Sequence, residues 1–93
     1  METPATAIDV KQATRIAFEY LNDLYPEIRD TLLEEVELTE DEKYWLITLS
    51  YIPRVPEKTL SVFAAMSGPR KYKLLKVETG TGKVWAMKIR NVA

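Results

Sequence analysis

Ninety-three residues and 10.7 kDa hold one hydrophobic core but leave no room for a separate substrate domain, so the chain reads as a single domain over residues 1–93. An apolar share of 46% argues against disorder, and the absence of both cysteine and histidine removes disulfides, thiolate and imidazole metal sites, a cysteine nucleophile and the usual neutral-pH general base. The net charge of −1 conceals a sorted chain, because residues 1–42 carry twelve acids against three bases and residues 43–93 carry ten bases against two acids.

The opening Met1-Glu-Thr-Pro-Ala-Thr-Ala7 has neither the basic segment nor the apolar run of a secretion signal. No stretch approaches the roughly 18 apolar residues of a membrane span. The expectation is a cytoplasmic protein with no membrane partner.

From Ile8 to Leu24 the residues Ala13, Ile16, Ala17, Tyr20, Leu21 and Leu24 recur at spacings of three and four, which places them on one stripe of a helix. Asp9 is placed to cap the first turn and Gln12, three residues on, to complete a capping box, with Ile8 and Ala13 in the staple positions. Pro26 restricts Tyr25 and ends the helix by Leu24 or Tyr25.

Thr31 to Leu38 alternates loosely and predicts a strand with Leu32, Val36 and Leu38 on one face and Leu33, Glu35 and Glu37 on the other. After the polar Thr39–Lys43 connection, the aromatic and branched run Tyr44 to Ile52 predicts its hairpin partner, with Trp45, Ile47, Leu49 and Tyr51 on the face toward the helix. Residues 53–69 form a long connection punctuated by Pro53, Pro56, Gly68 and Pro69, whose apolar middle carries Phe63 and Met66. A flap over the core and a contact surface are both open readings of it.

Tyr72 to Glu78 and Lys83 to Arg90 flank Thr79-Gly-Thr-Gly82, a second hairpin with glycines available for positive φ. Its last strand is expected to point Trp85, Met87 and Ile89 inward and Lys88 and Arg90 outward. For residues 72–78 a one-residue slip exchanges the faces, and the register that buries Leu75 and Val77 is favoured over one that buries Tyr72 and Leu74. The fold class is therefore α+β, with an N-terminal helix on one face of a four-stranded antiparallel meander.

That element order, together with Tyr72-Lys-Leu-Leu-Lys-Val-Glu-Thr-Gly-Thr-Gly-Lys-Val-Trp-Ala-Met87, resembles small cystatin-like domains of the PepSY type. In that family a helix precedes a sheet whose final hairpin carries a pair such as Asp-Ala before Thr-Gly; here Glu78-Thr-Gly-Thr-Gly82 departs from that spacing. The resemblance implies a mainly non-catalytic role in peptidase regulation or protein contact.

Catalytic and cofactor signals are weak. Glu34, Glu35, Glu37, Glu40, Asp41 and Glu42 match no twelve-residue calcium loop and read as a solvated strand end and turn, with charge that discourages edge pairing. Gly80-Thr-Gly-Lys83 lacks the upstream glycine, the following hydroxyl and the helix of a phosphate loop, since Val77 and Val84 occupy those positions. No enzyme activity, metal or cofactor is expected.

Binding signals are stronger. Arg70, Lys71, Lys73, Lys76, Lys83, Lys88 and Arg90 interleave with Tyr72 and Trp85, which suits an acidic protein surface or nucleic acid. The sequence pI of about 5.5 weighs against nucleic acid. Because acidic and basic strands are not neighbours in a meander, a dipolar surface is expected. Tyr44, Leu46, Phe63, Met66, Arg70, Lys71 and Lys73 are the candidate partner-binding residues, and the free sheet face also offers a second copy a place to pack as a homodimer. The expected function is a small non-catalytic protein-binding domain of inhibitor, immunity or adaptor type, acting by occlusion; the alternative is nucleic-acid binding through the C-terminal hairpin.

Overall fold

The computed structural model describes residues 7–53 and 70–91, and the expectations placed on Phe63 and Met66 fall outside them. Helix α1 (Val10–Leu24) is followed by β1 (Arg29–Leu38), β2 (Tyr44–Ile52), β3 (Lys71–Glu78) and β4 (Val84–Ile89). The strands pair in sequence order as one antiparallel sheet, with the helix against one face.

The helix begins where its cap dictates. Asp9 accepts from the Gln12 amide at 2.9 Å, and the Gln12 side chain accepts from the Asp9 amide at 3.0 Å. Two of the four amides that a helix start leaves unpaired are thereby satisfied. At the other end Tyr25 donates its amide to Leu21 and Pro26 follows.

Ala13, Ala17 and Leu21 bury the helix stripe completely, against Ile47, Leu49, Leu75 and Val77 of the two central strands. Two alanines let the helix backbone lie close to the sheet, and each fully buried Leu, Ile or Val contributes about 1.5–3 kcal/mol. Phe18 joins this core from the flank, whereas Tyr20 and Leu24, expected on the stripe, stay exposed. The stripe rotates away from the sheet as the helix leaves it.

In β3 the favoured register holds: Leu75 and Val77 face Ile47 and Trp45 across the ladder and are fully buried. Two alternation patterns break. In β1 the register slips between Leu33 and Glu35, so Leu33 shares the helix face with Val36 and Leu38, and Leu32 joins Glu35 and Glu37 on the outer face. A bulge adds one residue to one strand, which inverts the parity of everything before it. In β4 another irregularity sets Val84, not Trp85, opposite Val77. Trp85 is consequently 53% exposed, with its indole donating to the Glu78 carboxylate at 2.7 Å and lying under the Lys83 ammonium. Met87 packs against the core as expected, but Ile89, although in the inward register, is 76% exposed because it lies near the cleft beside the helix C-terminus.

At the end of the sheet that carries both hairpin turns, the chain interlocks. Ile8 donates its amide to the Thr79 carbonyl at 2.7 Å and accepts the Trp45 indole at 3.2 Å. Thr79 in turn donates its amide to the Lys43 carbonyl at 2.8 Å. Gly82 takes φ +77 in the β3–β4 turn, and a Cβ there would sit 3.0 Å from Ile16 Cδ1.

Candidate functional site

The opposite end of the sheet carries the helix C-terminus. There the helix ends at Leu24, its C-cap Tyr25 lies against Tyr51 near the end of β2, and β3 starts at Lys71. Between them lies a cleft of about 730 Å³. Its residues come from the helix C-terminus, the start of β1, the end of β2, the start of β3 and the segment after β4.

Register decides its chemistry. Lys71 opposes Tyr51 and Lys73 opposes Leu49, so both lysines lie on the helix-side face, in the same row as the buried Leu75 and Val77. Toward the turn end that row is apolar, and toward the cleft end it turns cationic. Tyr25 stacks on Tyr51 with ring centres 6.2 Å apart and planes 14° apart, and the Lys73 ammonium lies 5.7 Å from the Tyr25 ring. An ammonium over an aromatic face is held by the ring's quadrupole at that range. Burial pushes the Tyr51 hydroxyl above its ordinary pKa, with Tyr25 adding to the shift. Four bases, Arg70, Lys71, Lys73 and Arg90, line this cleft, with Glu27 as the one carboxylate among the described lining residues.

The outer sheet face carries a polar network. Ser50, fully buried, donates to the Glu34 carboxylate at 2.6 Å and accepts the Arg70 Nε at 2.9 Å, while Arg70 also reaches the Asp30 carbonyl. Arg90 crosses from the end of β4 to the Thr48 hydroxyl and the Glu35 carboxylate. The expectation of a dipolar surface is therefore corrected: strands lie about 4.8 Å apart, and an arginine long enough to bridge two of them ties the basic half to the acidic half. The bulge at Glu34 places two successive carboxylates within that reach.

The candidate partner-binding residues do not form one patch. Tyr44 and Leu46 lie half-buried on the outer face at the turn end, with the Lys76 ammonium 4.2 Å from the Tyr44 ring. Lys71 and Lys73 occupy the helix-side face at the cleft end. Arg70 touches both the cleft and the outer network. Tyr25 and Tyr51 were not foreseen as site residues, and Arg90 was foreseen only within the basic cluster of the C-terminal hairpin. One signal was legible: Lys71 and Lys73 share the parity of Leu75 and Val77, so any register that buries the latter pair carries the lysines onto the helix side.

At the turn end Asp41 accepts from the Thr39 hydroxyl at 2.6 Å and the Lys43 amide at 3.0 Å, which together hold its carboxyl below the ordinary value. Among the described residues no group of three or more acidic side chains is placed to hold a metal ion, and no helix is long and apolar enough to cross a membrane. No family model matches the chain, and neither does any curated protein or solved structure.

Proposed function

We propose that this chain is a small non-catalytic protein-binding domain whose cationic, tyrosine-lined cleft receives an acidic segment of a partner protein. The observation that carries the reading is the row Lys71 and Lys73 on the helix-side face, beside the stacked Tyr25 and Tyr51. Cations beside apolar ring faces suit carboxylate side chains set among apolar ones, and aromatic and arginine side chains are enriched where interfaces are best packed. Binding there occludes the partner's segment, in keeping with an inhibitor, immunity or adaptor role. The element order also supports a likeness to PepSY-type domains.

Nucleic-acid binding is the weaker alternative, because the bases of the C-terminal hairpin are divided between two sheet faces. Lys71 and Lys73 lie on one, Lys76 and Lys88 on the other, and Arg90 is engaged by Glu35. A phosphate track requires one continuous positive stripe.

Calorimetric titration with poly-glutamate and with single- and double-stranded oligonucleotides, at low and moderate salt, tests the choice. Binding of poly-glutamate that is lost in the Lys71→Glu/Lys73→Glu variant is the expected result. Tighter binding of an oligonucleotide overturns the reading in favour of nucleic acid.

A further inference from the structure

The two edges of the sheet are built differently. Along β1 the ladder is irregular at two places, Asp30 sits at φ 52, and Glu34, Glu35 and Glu37 are exposed. Bulges and charge are the usual means by which an edge avoids pairing with another chain. Past the irregularity at Trp85, β4 runs in unbroken register, with Ala86, Met87, Lys88 and Ile89 opposite Lys76, Leu75, Leu74 and Lys73.

The direction of its free backbone groups follows from one hydrogen bond. Arg90 donates its amide to Tyr72 at 3.0 Å, so Arg90, Lys88 and Ala86 turn their backbone groups toward β3. By the alternation of an antiparallel ladder, the N–H and C=O of Met87 and Ile89 point away from the sheet. No strand among the described residues pairs there. Ile89 is also the most exposed large hydrophobic side chain among the described residues, and it lies at the cleft mouth together with Arg90 and Asn91.

Resting on the reading of the cleft as an acceptor of acidic protein segments, we infer that the partner binds as an extended strand added to the free edge of β4. The sequence it takes alternates. A residue opposite Ile89 shares the helix-side face and meets an isoleucine side chain, so it is apolar; its neighbour opposite Lys88 shares the outer face and meets an ammonium, so it is acidic. Backbone hydrogen bonds to Met87 and Ile89 supply affinity, and this alternation supplies specificity. Beyond Ile89 the added strand reaches the mouth of the cleft at Arg90 and Asn91.

The probes are an alternating Glu-Val peptide, two versions of it N-methylated on every second residue in opposite phase, and poly-glutamate. Amide hydrogen exchange of the protein is followed by NMR alongside each titration. The expected result is slowed exchange at Met87 and Ile89 with the parent peptide and a loss of affinity of at least about tenfold in one N-methylation phase only, since a strand turns alternate amides toward its neighbour. Ile89→Pro removes an outward donor without touching the β3 ladder, and it lowers affinity by a similar factor.

Equal binding by both phases, or unchanged exchange at Met87 and Ile89 while the acidic peptides still bind, overturns strand addition and leaves the cleft reading standing. Protection of those two amides in the free protein overturns it as well. Failure of every acidic probe to bind at low salt removes the acidic-partner reading itself.

Discussion

The two ends of the sheet spend the same ingredients on opposite tasks. At the turn end, indole, amide and carbonyl groups of Ile8, Trp45, Thr79 and Lys43 satisfy one another, and a glycine admits the helix start against the hairpin. At the cleft end, Lys71 and Lys73 stand on the core face beside the Tyr25–Tyr51 stack. One end closes the fold; the other presents it. The difference lies in the helix-side row of β3, which is apolar at Leu75 and Val77 and cationic at Lys73 and Lys71.

The largest expected effect lies in the layer that both ends share. Leu75→Ala leaves a cavity under the helix and lowers stability by about 2–5 kcal/mol, read from the denaturant midpoint. A single transition is expected; two separated transitions would show that the ends fold independently and would break the comparison. Gly82→Ala acts on the closed end alone. Its positive φ costs a β-carbon about 1–2 kcal/mol, and the methyl also crowds Ile16, so the midpoint falls while binding of poly-glutamate is retained.

Lys71→Glu/Lys73→Glu gives the converse pattern. Stability falls by about 1 kcal/mol at most, the worth of the lost Lys73–Tyr25 contact, while poly-glutamate binding disappears. A fall in the midpoint matching that of Gly82→Ala would mean that the lysines hold the fold and are not a binding row.

The smallest effects are in pH, and they separate the ends by sign. Asp41 has a lowered pKa in the folded protein, so its contribution is present above the ordinary value of 3.8 and is lost as pH falls through the folded value. Tyr51 has a raised pKa, so its contribution is present below the ordinary value of 10.0 and is lost as pH rises through the folded value. Asp41→Asn is expected to flatten the acid limb of the stability profile, and Tyr51→Phe the alkaline limb. An acid limb unchanged by Asp41→Asn would remove the Thr39–Lys43 turn from the account of acid unfolding.

How far the chain could be read in advance depended on what each residue answers to. The limits of α1 and β2 follow from neighbours in sequence: Asp9 with Gln12, Tyr25 before Pro26, and a branched and aromatic run after a polar turn. The register of β3 was legible because only one of its two faces offers Leu75 and Val77 to the core. By contrast, neither bulge announces itself. Glu34 and Trp85 sit in runs whose alternation looks regular, and a single inserted residue reverses the faces on one side of it. The reach of Arg70 and Arg90 across the sheet was hidden for the same reason, since it requires Glu34 and Glu35 to arrive together at Ser50 and Thr48.

By itself, the sequence determined the helix and four strands of the described residues, their order and the central core, because caps, turns and hydrophobic period are local. Only the tertiary structure decided that the lysines of β3 share a face with the core at the cleft end, that Trp85 turns out of it, and that β4 keeps a regular edge on which no described strand pairs. Those depend on where one element stops relative to another, a quantity carried by packing and ladder register and by no residue alone.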